Sequence, residues 1–83
     1  MYRIVIVDDF YIEREIAKSA ITDAGLDLLL VGEYPNAIEA LKNLEDDCPE
    51  IILVDVEMPG MSGIEFVQIV KEKFPAIRPI FFS

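Results

Sequence analysis

Two segments indicate the architecture of this chain: residues 4–9, IVIVDD, and residues 53–63, LVDVEMPGMSG. In each, a short and largely β-branched apolar run ends at an aspartate. Similar apolar runs occur at residues 28–31 and 80–82. None of the runs alternates apolar with polar residues, which is typical of strands buried on both faces of a parallel sheet. The sequence therefore predicts four strands.

Three segments between these runs have apolar residues spaced three and four positions apart, which predicts helices. The first covers residues 11–24. The second has Asn36 as a predicted N-cap with Glu39 three residues on, and the third opens with the capping-box pair Ser62 and Glu65. The periodic residues are Ile12, Ile16, Ala20, Ile21 and Ala24; Ala37, Ala40, Leu41 and Leu44; and Ile64, Val67, Val70 and Phe74, the last set predicted to line an inner face. Strands that alternate with helices imply parallel pairing through right-handed crossovers, so we predict an α/β fold in the order β-α-β-α-β-α-β.

Length and composition restrict the classes of protein that this chain can belong to. Its 83 residues predict a single domain over 1–83, and 53% hydrophobic residues exclude a disordered chain. The apolar runs are far shorter than the ~20 residues of a spanning helix, and no secretory signal is recognised, so we expect a cytoplasmic protein without a membrane partner. Cys48 is the single cysteine and histidine is absent, which excludes an intrachain disulfide, zinc clusters and histidine-dependent triads. The net charge of −9 disfavours nucleic acid and is compatible with cations or basic partners.

Three aspartates follow the first and third predicted strands, where an open parallel sheet binds its ligands. Asp8 and Asp9 follow the first strand and Asp55 ends the third. If these strands are neighbours, the carboxylates converge, and at an effective dielectric near 20 one pair at ~4 Å repels by roughly 4 kcal/mol. Such a group either shifts its pKa or binds a cation, and oxygen-only ligands suit Mg²⁺. We therefore predict a hard-cation site beside a carboxylate that can act as a nucleophile. The alternative is that these aspartates only cap a helix and begin a turn.

Other polar groups are assigned to or excluded from this site. A backbone carbonyl of the loop after Asp55 can complete a metal shell, and we choose that of Glu57. The hydroxyl of Ser83, at the end of the fourth strand, can hydrogen-bond an anionic oxygen held by the metal. The acidic residues interpreted as solvated helix faces are Glu13, Glu15, Glu45, Asp46 and Asp47.

Residues 4–9 and 53–63 together with the strand ending at Ser83 resemble the receiver domain of bacterial two-component response regulators. The resemblance covers residues 1–83 and implies a flavodoxin-like, doubly wound parallel sheet with strand order 2-1-3-4. It further implies that Asp55 is the phosphoacceptor for a phosphohistidine on a sensor histidine kinase. By the same resemblance, Asp9, Asp55 and the Glu57 carbonyl bind Mg²⁺ directly, Asp8 binds it through water, and Ser83 is the hydroxyl switch residue. The implied activity is regulatory rather than enzymatic.

The chain departs from this family at its C-terminal end. A receiver domain has about forty further residues, including a fifth strand whose lysine pairs with the phosphoryl group. The lysines here are Lys18, Lys42, Lys71 and Lys73, and each lies in a predicted helix. We therefore expect a receiver truncated after the fourth strand, with impaired phosphoryl transfer. We also expect a homodimer or higher oligomer, because the fourth strand becomes an edge and the first helix loses its cover.

Other classes of function remain as alternatives. A pseudo-receiver would bind proteins without phosphorylation, and the absent lysine favours it while the intact acidic triad does not. A flavodoxin-like FMN binder would need a Gly-, Ser- and Thr-rich loop after the first strand, but Asp8 and Asp9 would repel phosphate there. A phosphohydrolase with an aspartyl nucleophile would need a second aspartate two positions along the same strand, which is absent.

Overall fold

The computed structural model describes residues 1–25 and 27–82. The elements within them are β1 (Tyr2–Val7), α1 (Tyr11–Asp23), β2 (Leu28–Tyr34), α2 (Ala37–Asp47), β3 (Ile51–Asp55), α3 (Gly63–Lys73) and β4 (Arg78–Phe82). All strand pairs are parallel, and the sheet has the order β2-β1-β3-β4. The predicted α/β class and the strand order 2-1-3-4 are confirmed. β1 and β3 are therefore neighbours at the centre of the sheet.

The starts of α2 and α3 are held by the predicted caps. The Asn36 side chain accepts a hydrogen bond from the Glu39 N–H at 2.8 Å. Ser62 and Glu65 form a reciprocal capping box, in which each side chain accepts from the other's backbone N–H. Each such cap satisfies amide donors that would otherwise lack a partner at the first turn. None of the helices in the described part of the chain is long and apolar enough to cross a membrane.

The main hydrophobic core lies between one face of the sheet and the helices α2 and α3. Val5 and Val7 of β1 and Ile52 and Val54 of β3 point into it and are fully buried, as is Phe66 of α3. Alternate positions on a strand share a face, so these four residues form one apolar surface against the helices. This packing fixes the carboxyl ends of the two central strands.

The prediction that every strand is buried on both faces is correct for the centre of the sheet and wrong at its edges. Leu29 and Leu30 of β2 are 45% and 38% exposed, and Ile80 and Phe81 of β4 are 44% and 45% exposed. β2 and β4 are the outermost strands of the described sheet, so each has a neighbour on one side. The lateral position of a strand depends on long-range pairing, which the composition of its apolar run does not reveal.

The helices also differ from one another in how their apolar stripes are used. The stripe of α2 is buried at Ala37, Ala40 and Leu44. The stripe of α1 is largely exposed, with Ile12 and Ile16 at 70% and 63%. Between α1 and the sheet residues Leu53 and Phe82 lies an open groove of about 500 Å³.

The predicted inner face of α3 is wrong at one position. Ile64 is 53% exposed, and Phe66 is fully buried in its place. The buried residues of α3 are Gly63, Phe66, Val67 and Val70. Their spacing of three, four and seven from Gly63 is that of a single helical face, so the true stripe begins at the glycine.

Candidate functional site

Three carboxylates meet at the carboxyl edge of the central strands. Val7 of β1 pairs with Val54 of β3, so the residues that follow, Asp8 and Asp55, come side by side. Asp8, Asp9 and Asp55 each offer a carboxylate oxygen, and these oxygens all lie within 4.8 Å of one another. Asp8 is fully buried and Asp55 is 8% exposed. The predicted convergence of the three aspartates is confirmed.

The turn after β1 holds Asp8 by its side chain and by its backbone. One carboxylate oxygen, Oδ1, accepts a hydrogen bond from the Phe10 N–H at 2.9 Å. The Asp8 N–H donates to the Tyr34 carbonyl at 3.1 Å, and the Asp8 carbonyl accepts from Arg14 Nη1 at 2.6 Å. The chain can therefore leave the strand sharply and begin α1 while both aspartates stay at the sheet edge.

The turn after β3 depends on a close approach of two backbone segments. The Gly63 N–H donates to the Val56 carbonyl at 2.9 Å. A Cβ added at Gly63 would lie 2.9 Å from the carbonyl carbon of Asp55 and closer still to its oxygen. Glycine at this position therefore lets α3 start directly against the residue that carries the candidate nucleophile. Gly60 has a φ of +80°, which completes the reversal of the loop.

Burial and like charge define the electrostatics of the site. The pKa of the Asp55 carboxyl is raised, chiefly by burial and further by the charges of Asp8 and Asp9. The hydrogen bond from the Glu57 N–H to Asp55 Oδ1, at 3.4 Å, lowers this pKa and offsets part of the rise. Asp8 Oδ2 and Asp9 Oδ1 are buried and have no hydrogen-bond partner within residues 1–25 and 27–82. Buried carboxylate oxygens without partners are costly, and a compact set of them suits a hard divalent cation. The donor set therefore fits Mg²⁺.

Glu13 is a fourth carboxylate beside the site, which the sequence interpretation as a solvated helix face missed. Its pKa is raised to about 7, first by its interaction with the Asp8 side chain, then by loss of hydration and by the charges of Asp8, Asp55 and Asp9. Glu13 lies in the first turn of α1, and helical side chains tilt toward the N-terminus. A first-turn position directly after the strand exit is the signal that could have found it.

Two further polar contacts depart from the sequence interpretation. Asp47, interpreted as solvated, accepts a hydrogen bond from the Tyr34 hydroxyl and so joins α2 to β2. Arg14, for which the sequence predicted no function, donates a hydrogen bond to the Asp8 carbonyl. Both contacts join elements that are distant in the chain or separated by a turn, so helical periodicity does not indicate them.

The remaining predicted site groups have the following positions. The Glu57 side chain is exposed while its N–H faces Asp55, and its carbonyl remains a predicted ligand. Ser83 lies outside the described residues, so its role also stays a prediction. Lys18 of α1 pairs with Glu33 at 3.0 Å and with Glu15, and Lys71 and Lys73 lie in the last turn of α3.

Comparison with known proteins gives consistent matches. The family model described as response regulator receiver domain matches residues 4–83. The chemotaxis protein CheY of Listeria monocytogenes is 32% identical over 83 residues, which are 100% of this chain and 68% of CheY. The response regulator domain of CheB from Thermotoga maritima has a TM-score of 0.85 at 31% identity, over 98% of this chain and 59% of that one. The isolated REC domain of RcsB from Salmonella enterica serovar Typhimurium has a TM-score of 0.89 at 23% identity, over 96% and 59% of the two chains, and indicates the fold alone.

Proposed function

The chain belongs to the response regulator receiver domain family, and we propose that Asp55 is its phosphoacceptor, serving a sensor histidine kinase. Receiver domains are regulatory modules, and we propose that residues 1–83 form one such module without enzymatic activity of their own. The observation that carries the proposal is the meeting of three carboxylate oxygens within 4.8 Å at the edge where β3 ends at Asp55. Switch-point placement of this kind is where open α/β sheets bind their ligands.

The proposed reaction forms a bond between an Asp55 carboxylate oxygen and the phosphorus of a phosphohistidine. The phosphorus–nitrogen bond breaks, and the imidazole leaves with the electron pair. The Glu57 N–H holds Asp55 Oδ1, which orients the carboxylate, and burial withholds the water that would otherwise solvate it.

The cation site is the second part of the proposal. Asp9, Asp55 and the Glu57 carbonyl would hold Mg²⁺ directly, and Asp8 would hold it through water. When bound, Mg²⁺ offsets the charge of the carboxylates and of the phosphoryl oxygens during transfer. Ser83 would donate a hydrogen bond to a phosphoryl oxygen.

The 83-residue chain by itself should transfer a phosphoryl group weakly. The lysines of the described residues lie on the helices, and Lys18 is already paired with Glu33 and Glu15. A charge-assisted contact of the kind that a lysine would supply contributes about 1.5–3 kcal/mol. Phosphorylated Asp55 should therefore form slowly and reach low occupancy.

Incubation with acetyl phosphate and Mg²⁺, followed by mass spectrometry, tests the proposal. We expect a gain of one phosphoryl group on Asp55, and none in Asp55→Asn or in the presence of a chelator. Modification of another aspartate at the same level in Asp55→Asn would contradict the assignment. Full and long-lived occupancy of Asp55 would show that a lysine contact is dispensable.

A phosphorylation-independent interaction module is the second candidate. The open groove of about 500 Å³ between α1 and the sheet favours it, since such an apolar surface can receive a partner. An Asp55 that no phosphodonor modifies, in a chain that stays folded, would favour this candidate.

We also propose that the chain self-associates, through the exposed edge of β4. β4 is an outermost strand of the described sheet, and Ile80 and Phe81 are nearly half exposed on it. An apolar edge strand is a template for pairing with another chain. We propose a homodimer or higher oligomer of the 83-residue chain. A cytoplasmic location and the absence of nucleic-acid and membrane partners stay predictions.

A further inference from the structure

The orientation of the Asp8 and Asp9 carboxylates depends on the backbone that carries them. Asp8 Oδ2 and Asp9 Oδ1 have no partner among the described residues, so side-chain hydrogen bonds at these two atoms do not orient the carboxylates. The Phe10 N–H binds Asp8 Oδ1, while the backbone of Asp8 is held at its N–H by Tyr34. The remaining backbone contact of Asp8, at its carbonyl, is made by Arg14.

Arg14 is placed to hold that carbonyl firmly. Its Nη1 donates to the Asp8 oxygen at 2.6 Å, and the side chain is 13% exposed. Its Nε lies 3.6 Å from Glu33 Oε2 on β2, and its guanidinium stands over the Tyr11 ring at 5.8 Å from the centroid. The guanidinium therefore bridges the end of β1 to the neighbouring strand β2. Phe10, the N-cap of α1, has no side-chain oxygen, so Arg14 and the Asp8 carboxylate, which accepts from the Phe10 N–H, together anchor this end of the helix to the turn.

We propose that Arg14 is a positioning residue for the cation site, and this proposal rests on the function proposed above. By fixing the Asp8 carbonyl, Arg14 sets the turn in which Asp8 and Asp9 present their carboxylates to the cation. Groups that orient metal ligands from behind typically contribute 10- to 100-fold to metal affinity. Glu33 assists, because it holds the guanidinium from the other side.

The direction in which Mg²⁺ affinity changes when Arg14 is removed distinguishes a positioning role from an effect of its charge. Arg14 is cationic, so through charge alone it repels Mg²⁺, and its removal would tighten Mg²⁺ binding. Through positioning, its removal weakens Mg²⁺ binding. A purely structural role would lower the stability of the fold and leave the Mg²⁺ affinity of the folded molecules unchanged.

Arg3 provides a matched control at the start of β1, at the end of the sheet opposite the carboxylate site. Its Nη2 donates to the Asp47 carbonyl at 2.6 Å and its Nε to the Cys48 carbonyl at 3.2 Å, which is the same chemistry at the start of β1. Removal of Arg3 should cost stability of a similar kind while leaving the site untouched, because distant and unconnected sites act independently.

The experiment is an NMR titration of wild type, Arg14→Ala, Arg14→Lys, Glu33→Gln and Arg3→Ala with Mg²⁺. We expect Arg14→Ala to bind Mg²⁺ at least roughly tenfold more weakly. Arg14→Lys should recover part of the affinity, and Arg3→Ala should match wild type. In the absence of Mg²⁺, the Phe10 amide proton should exchange faster in Arg14→Ala and not in Arg3→Ala, because its acceptor Asp8 Oδ1 is no longer held in place.

Each outcome either supports or overturns the inference. Affinity in Arg14→Ala that equals or exceeds that of wild type, or an unchanged Phe10 amide, overturns it. If Arg14→Ala does not fold, Arg14→Lys and Glu33→Gln decide, and wild-type affinity in both overturns it. If the wild-type protein binds no Mg²⁺ at millimolar concentration, the proposed function and this inference are both overturned. If wild type binds Mg²⁺ and the Arg14 variants bind it equally well, this inference alone is overturned and the proposed function stands.

Discussion

Replacement of Gly63 by alanine tests the close approach that places Asp55. The new Cβ would lie 2.9 Å from the Asp55 carbonyl carbon and 3.0 Å from Val56 Cα, whereas ordinary contacts begin at 3.4 Å. Both neighbours are backbone atoms, and Asp55 is paired with Phe82 in the sheet, so neither can rotate away. The Asp55 carbonyl oxygen lies closer still to the new Cβ, so the start of α3 and the end of β3 must move apart by about an ångström or more.

Overpacking of this kind typically costs 1–3 kcal/mol, and the rigid backbone places Gly63→Ala near 3 kcal/mol or above. For a domain of this size, 1 kcal/mol corresponds to about 4–8 °C in Tm, so we expect a fall of about 12–24 °C. Gly60→Ala is the matched control in the same loop, because nothing lies within 4 Å of its added Cβ and only the positive φ is strained. That strain costs about 1–2 kcal/mol. Thermal and urea unfolding followed by circular dichroism measure both variants, and a smaller loss for Gly63→Ala than for Gly60→Ala would refute the reasoning.

Three further predictions concern the charge of Asp55, the binding of Mg²⁺ at Asp9 and association through the edge of β4. Burial raises the pKa of Asp55 in the folded state above its ordinary value of 3.8, so ionised Asp55 destabilises the fold once the pH exceeds both pKa values. Asp55→Asn removes this cost and should raise the Tm in EDTA at pH 7. The gain in Tm should shrink as the pH falls toward 3.8, where Asp55 is protonated in the folded protein. A gain that grows on acidification would contradict the pKa direction. Mg²⁺ should raise the Tm of wild type at pH 7 and not that of Asp9→Asn, and calorimetry that finds equal Mg²⁺ stabilisation in both would remove Asp9 from the site. Light scattering coupled to gel filtration should show a dimer or larger assembly at micromolar concentration, and a compact 9.4 kDa monomer would exclude association through the edge of β4.

The local features of the fold follow from residues that are close in sequence. Asn36 with Glu39 and Ser62 with Glu65 form their caps over three residues, so the amide donors and their acceptors were identifiable without tertiary contacts. The meeting of Asp8 with Asp55 was also predictable, because parallel strands place their carboxyl ends at one edge. The family resemblance supplied the strand order that made the two strands neighbours.

The burial of each apolar stripe was decided by tertiary structure. Periodicity reveals that a helix has an apolar face but not whether another element covers it, so the exposure of Ile12 and Ile16 on α1 could not be read from their spacing. The same limit applies to Leu29 of β2, because an edge strand and a central strand can share one composition. Lateral order in a sheet is a property of chain pairing over long separations.

The environment of the site belongs likewise to the folded chain. The carboxylates that end the strands could be identified without tertiary information, because an aspartate follows each central apolar run. Tertiary structure decided that Glu13 lies beside Asp8, that Arg14 binds the Asp8 carbonyl and that Gly63 lies against Asp55. Each of these contacts depends on the rotation of a helix about its axis and on its distance from the sheet. Packing of side chains between the layers sets both quantities, and no local sequence pattern specifies them.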